Sequence, residues 1–249
     1  MPKNIKRREC IMKFNNKFNF AVVVSLIALL LVTGCSGNDE VIKNNEPTLI
    51  NFHDDFSSIN IGWVTGTDDV SSKTYNDHGT YEIKLFKGGL IIPSIAPIAK
   101  LGSEYTLEAN IEQPLREGHS GMIFNGVEDE DSVDYYVFWI TPYLGKYSIS
   151  RYNEITGDGW THLTTEETSH LNEWGKNRIK IKQNDDEAIF YINENIVGKL
   201  TGIDTHEEGV NVGVFVSSAG AVTEDNSDTL MNSVISYFDD FKVSGYAAE

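Results

Sequence analysis

The chain has 249 residues, with 20 Lys and Arg against 37 Asp and Glu, giving a formal net charge of −17. That charge opposes nucleic acid and anionic lipid headgroups as partners, because both present dense negative charge. The two cysteines, Cys10 and Cys35, both lie near the start, so no disulfide or cysteine metal site can brace the body of the chain.

Lys3, Lys6, Arg7, Arg8, Lys13 and Lys17 open the chain as a basic stretch, and Phe20–Val32 is apolar apart from Ser25. A helix over that apolar run spans roughly 20 Å, short of the ~30 Å hydrocarbon core of a bilayer. The pattern is that of a secretory leader, and Met12 would also begin a complete one. Val32-Thr33-Gly34-Cys35 follows at once. It resembles the lipobox of bacterial lipoproteins, which implies cleavage after residue 34 and lipidation of Cys35. The protein would then be exported by a Sec-type signal and anchored by lipid at the outer membrane or cell surface. Cleavage lowers Lys and Arg from 20 to 14 and Asp and Glu from 37 to 36, leaving a net charge of −22. A surface of that kind tolerates neutral ligands and attracts divalent cations.

Residues 35–48 are polar and short of large apolar side chains, as a flexible tether would be. The small and acidic residues after Cys35 resemble signals that carry lipoproteins to the outer surface. From Leu49 onward, short apolar runs recur with turn residues between them. Strands are expected over Leu49–Phe56, Thr80–Phe86, Leu90–Ile95, Tyr105–Ile111, Gly121–Asn125, Asp134–Thr141 and Lys146–Tyr152. Others are expected over His162–Thr165, Asn177–Gln183, Ala188–Ile192, Ile196–Leu200, Asn211–Val216 and Ser233–Val243. Tyr105, Leu107, Ala109 and Ile111 share one parity, as do Val210, Val212, Val214 and Val216. Asn193-Glu194-Asn195 falls where a tight hairpin turn belongs. No long segment has a helical period, and so many strands in one domain over 49–249 require two packed sheets.

Val133–Thr141 is dense in aromatic and β-branched residues and apolar on both parities, so both of its faces are covered. One face belongs to the core. The other, carrying Tyr135, Val137 and Trp139, is either a second packing layer or the floor of a groove.

Together with Asp54-Asp55-Phe56, Gly118–Phe124, Gly145–Ile149, Phe190–Asn193 and Phe238–Val243, this order of features resembles the concanavalin A-like lectin/glucanase superfamily in its bacterial laminin-G-like form. The resemblance covers about Leu49–Val243. It implies an all-β, two-sheet antiparallel jelly-roll sandwich whose first and last strands pair. It leaves activity open, since one fold hosts many functions.

Hydrolases of the laminarinase type carry Glu-x-Asp-x-Glu on one strand, two carboxylates on one face about 5 Å apart. That motif is missing here. Glu128-Asp129-Glu130-Asp131 precedes a strand and reads as a solvated loop. The row Glu104, Thr106, Glu108, Asn110, Glu112 lacks the central Asp and reads as a water-facing side. The 3-keto-disaccharide hydrolases of this fold tend to show Asn-Ser-Gly where this chain has His119-Ser120-Gly121. The six histidines show no zinc spacing. No catalytic residue is nominated.

Sugar rings stack on flat aromatic faces. Trp63, Tyr135, Trp139, Tyr143, Tyr152, Trp160 and Trp174 are the pool, with Trp160 and Trp174 placed as loop anchors. Tyr135, Trp139 and Arg151 form the expected ligand groove. Phe238 and Phe241 share a core face only if a bulge lies at Asp239-Asp240. The resemblance then implies a structural calcium ion held by Asp55 and Asp240. The expected function is surface-anchored, non-catalytic binding of a glycan, neutral by the charge argument. The alternatives are a hydrolase on the same scaffold and an adhesion or spacer module that binds a cell-surface protein.

Overall fold

The computed structural model describes residues 47–248, except 59–60, 130–131, 158, 220, 222 and 224–228. The expected leader, Cys35 and nearly all of the tether lie outside the described residues, as do Glu130 and Asp131.

Among the described residues the chain forms fifteen strands, and its one helical piece is the 3-10 turn Pro142–Leu144. Nine strands make one sheet: β1 (Leu49–Asp54), β2 (Gly66–Thr67), β3 (Ser71–Tyr75), β4 (Tyr81–Lys87), β6 (Leu101–Glu112), β11 (Asn177–Asn184), β12 (Glu187–Ile192), β13 (Asn195–Thr201) and β15 (Thr229–Ala247). Their order is β13-β12-β11-β6-β15-β4-β3-β2, with β1 alongside β15. The other six are β5 (Ile91–Ile95), β7 (His119–Asp129), β8 (Ser132–Thr141), β9 (Lys146–Asn153), β10 (Gly159–Glu167) and β14 (Asn211–Ser217), ordered β10-β9-β8-β7-β14-β5.

The main core fills the space between the sheets, and alternation selects its residues. Tyr105, Leu107, Ala109 and Ile111 of β6 are buried there, with Ile179 and Ile181 of β11 and Val212, Val214 and Val216 of β14. Phe124, Phe138 and Phe190 meet at its centre, with ring centroids 5.4 Å apart for Phe124–Phe190 and 5.0 Å for Phe138–Phe190. The β12–β13 hairpin closes through Asn193 and Glu194, both at positive φ, the geometry of a two-residue primed turn.

The first and last strands pair, from Leu49 opposite Tyr246 to Asp54 opposite Phe241. The register of β15 against β6 shifts between Asp239 and Lys242, and Asp240 sits at φ 50°. This bulge turns both Phe238 and Phe241 into the core, where each is fully buried. β2 and β3 have no counterpart in the sequence reading, because Ser71-Ser72-Lys73-Thr74-Tyr75 lacks an apolar alternation.

Asp54 ends β1 inside the aromatic cluster of Phe56, Trp63, Tyr75 and Tyr81. Its Oδ1 accepts the Phe56 N–H at 2.7 Å, while Oδ2 is buried without a partner. Burial pushes its carboxyl up, against the opposing pull of the Phe56 N–H. The folded pKa therefore lies above the unfolded one. The native state binds the extra proton, so this group adds stability as pH falls through the folded value, and the full gain is present below the unfolded value. Asp54→Asn keeps an acceptor for Phe56 and removes the charge. We expect it to be neutral to stabilising by about 1 kcal/mol at pH 7 and to remove that part of the pH dependence, read from urea melts at pH 7 and 5.

Candidate functional site

The hairpin β8–β9 sets the site. Its register pairs Tyr135 with Tyr152, Val137 with Ser150 and Trp139 with Ser148. These residues lie on the outer face of the six-stranded sheet. There Ile123, Tyr135, Val137 and Phe215 form a second, small apolar cluster, with Trp139, Tyr152 and Trp160 partly buried against it. The Tyr135/Trp139 face is thus a second packing layer, with Trp139, Tyr152 and Trp160 only partly buried along it.

Gly121 makes this layer possible. A Cβ there would lie 2.1 Å from the Phe138 carbonyl oxygen and 2.6 Å from the Phe215 ring. Its absence lets Phe215 lie across β7 toward Trp139, at 6.1 Å between ring centroids. His119 meets the Trp139 ring edge-on at 4.4 Å, and His162 lies parallel to it at 6.0 Å. His119 Nδ1 is 2.7 Å from Thr141 Oγ1, and His162 Nδ1 is 3.0 Å from Ser150 Oγ. Burial, with a smaller contribution from His162, holds the His119 imidazole below its ordinary pKa. At the other end Tyr135, Tyr152 and Trp160 form an aromatic trio, with Tyr152 and Trp160 centroids 4.9 Å apart. Trp160 is therefore a residue of strand β10 on this face, not a loop anchor. Neither histidine was singled out from the sequence, because their role depends on strands that meet only in three dimensions.

Arg151 is not on this face. It pairs with Tyr136, and so belongs to the inner parity with Phe138 and Ile140. The expected groove of Tyr135, Trp139 and Arg151 does not assemble, because the sheet separates the arginine from the other two. Arg151 donates from Nε to Asp134 Oδ1 at 2.9 Å and from Nη2 to Asp134 Oδ2 at 2.5 Å. Nη2 also lies 2.5 Å from Asp204 Oδ2. Asn153 Nδ2 donates to Asp134 at 3.0 Å. The guanidinium sits 5.1 Å from the Tyr136 ring centroid.

The other candidates are spent on structure. Glu108 is buried on the outer side of the nine-stranded sheet, between Arg178 at 2.5 Å and Lys180 at 3.4 Å, so the middle of the row on β6 is ion-paired and not merely wet. Trp174 is 65% exposed, with Arg116 over its ring at 4.2 Å, and anchors nothing. The donor set expected for calcium does not fit as it stands. Asp240 Oδ1 meets His53 at 2.9 Å and Lys242 at 3.3 Å, and Oδ2 takes Asn110 at 3.1 Å. Asp55 Oδ1 is turned into its own loop by the Ser57 N–H and hydroxyl. Among the described residues no group of three His, Cys, Asp or Glu could hold a metal ion.

Solved structures share the architecture. A Bacillus licheniformis beta-glucanase superposes with a TM-score of 0.55 at 10% identity, covering 80% of this chain and 98% of that one. The kappa-carrageenase from Pseudoalteromonas carrageenovora, solved with an oligotetrasaccharide of kappa-carrageenan, gives 0.55 at 12% identity over 85% and 100%. A Bacillus subtilis protein with a galectin-like fold gives 0.56 at 9% identity over 82% and 99%. No protein-family model and no curated protein matches the chain. At such identities the likeness is one of fold, and it agrees with the two antiparallel sheets seen here. The chain is a concanavalin A-like jelly-roll sandwich of the kind these glucanase and galectin-like structures share.

Proposed function

We propose that this chain is a non-catalytic carbohydrate-binding domain carried to the cell surface on a lipid anchor. One observation carries the reading. The outer face of the six-stranded sheet presents Tyr135, Trp139, Tyr152 and Trp160 with two histidines, while no strand of that sheet carries two carboxylates two or four residues apart. Aromatic faces with a few polar neighbours suit sugar rings. Glycoside cleavage by the usual route needs a spaced carboxylate pair. The fold is one on which a beta-glucanase and a carrageenan-bound carrageenase are built. The strong negative charge favours a neutral glycan over an anionic one. The full chain on an array of neutral, sulfated and uronic-acid glycans tests this. Retention on neutral glycans without product release supports the reading. Turnover of a β-glucan replaces it with the hydrolase. A blank array with retention on cell-surface protein replaces it with the adhesion module.

The anchor rests on the lipobox resemblance at Cys35. Several acyl chains hold firmly where one holds only marginally. Cys35→Ala is expected to move the protein from the membrane pellet to the soluble fraction, and an unchanged pellet rejects the anchor.

A calcium ion held by Asp55 and Asp240 is proposed on the fold resemblance alone, and it has to displace His53 and Lys242 from Asp240 and Ser57 from Asp55. At a hundred times its dissociation constant such an ion adds about 2.7 kcal/mol. Calcium then raises the melting temperature by several degrees and Asp240→Ala cancels the rise. Superimposable melts with calcium and with chelator reject the ion.

A further inference from the structure

The arginine that parts from the aromatic face has a site of its own. Tyr136, Arg151 and Asn153, on the inner parity of β8 and β9, open onto a cleft of about 290 Å³ at the edge of the sandwich. Thr161 and Leu163 of β10 close one side of it, and Leu200, Thr201 and Gly202 at the end of β13 close the other. We propose that this cleft binds one neutral sugar unit, or a polyol of that size, independently of the outer aromatic face.

Size comes first. Small-molecule sites begin at about 300 Å³ and are mostly apolar walls with a few fixed polar groups. This cleft is at that lower bound, so it has room for a single ring and not for an oligosaccharide. Its apolar walls are Leu163, 40% exposed, and Leu200, which is packed against the core. These can cover the C–H face of a pyranose.

The polar groups are fixed and opposite in character. Asp134, 7% exposed, receives three N–H bonds from Arg151 and Asn153 and so locks the guanidinium in place. Arg151 is itself 25% exposed, and its Nη1, with two N–H groups, has no acceptor among the described residues. Asp204, 52% exposed, reaches the same guanidinium from the loop after β13 and offers acceptor oxygens. A sugar hydroxyl can both accept from Arg151 and donate to Asp204, which a simple anion or cation cannot do.

Charge decides between ligand classes. One guanidinium faces two carboxylates, so the cleft carries a net negative charge within a chain of net charge −17. A carboxylated or sulfated sugar is repelled, and a neutral one is not. The arginine in this cleft therefore does not make an anion site, because Asp134 and Asp204 have already neutralised it.

The test is a titration of the ¹⁵N-labelled full chain with methyl glycosides of glucose, galactose and mannose, and with glucuronate, followed by amide and indole shifts. The neutral glycosides are expected to shift the amides of Thr161, Leu163 and Gly202, whether or not the Trp139 and Trp160 indoles also move. Thr161→Trp fills the cleft from an exposed strand position directly opposite Arg151, and keeps both Asp134 and Arg151 in the chain. It should weaken those shifts at least about tenfold in affinity, or 1.4 kcal/mol. Shifts confined to the Trp139 and Trp160 indoles overturn the cleft and leave the outer face standing. Cleft shifts with blank indoles and a blank array keep the cleft and end the outer-face reading. Glucuronate binding as well as the neutral glycosides, unchanged binding in Thr161→Trp, or no shift with any probe overturns the proposal.

Discussion

Trp139→Ala is expected to lose both glycan affinity and stability. The indole is flanked by His119 edge-on, His162 parallel to it and Phe215 tilted at 42°, so truncation leaves a hole in the outer cluster as well as a gap in the binding face. Truncating an enclosed Trp costs about 3–5 kcal/mol, and partial exposure puts this one near 3. Affinity for the strongest neutral glycan on the array should fall at least about tenfold in the fraction that remains folded. Trp139→Phe keeps a ring and removes an indole N–H that is buried without an acceptor, so it should recover most of the stability. Trp160→Ala, on the edge strand β10, should lose affinity with a smaller loss of stability. One urea melt and one titration per variant decide. Full affinity in folded Trp139→Ala would make Trp139 a packing residue and remove it from the site.

The second large effect is at Arg151. Arg151→Ala leaves Asp134 buried with Asn153 as its remaining donor among the described residues, and removing one partner of a buried pair costs about 3–5 kcal/mol. The mutual attraction holds the guanidinium in its charged form far above the working range, so the loss should be constant between pH 6 and 9. Replacing both partners together, Asp134→Leu with Arg151→Met, removes the stranded charge and should restore most of the stability. If the single and double replacements unfold at the same urea concentration, the pair is not what Asp134 depends on.

Much of the architecture is legible in the sequence because alternation is a local property. The parity of Tyr105 to Ile111 marks a core face with no other information. Phe238 and Phe241, three apart, can share a core face only through a bulge, and the register of β15 shows one. What could not be read is which face of one strand meets which face of the next. Arg151 shares a face with Tyr147 and Ile149, as alternation requires, but its relation to Tyr135 depends on the turn between β8 and β9. That turn places Pro142–Leu144 and Gly145, at φ 61°, between the paired residues Thr141 and Lys146. One residue more or less would exchange Tyr135 for Tyr136 opposite the Arg151 parity. Asp204 was invisible for a different reason: it reaches Arg151 from a loop far along the chain, and no periodicity links them. His162 likewise matters only because β10 returns beside β9.

The pairing of β1 with β15 also governs when the protein can fold. β1 has β15 as its partner strand, and β15 lies between β6 and β4 in the nine-stranded sheet. The sheet therefore has a gap at its centre until β15, Thr229–Ala247, has been made, and contacts of such separation form slowly because chain closure must come first. A chain without β15 lacks the strand that joins the two halves of this sheet. Such a chain should stay protease-sensitive, and resistance should appear in one step when Thr229–Ala247 is present.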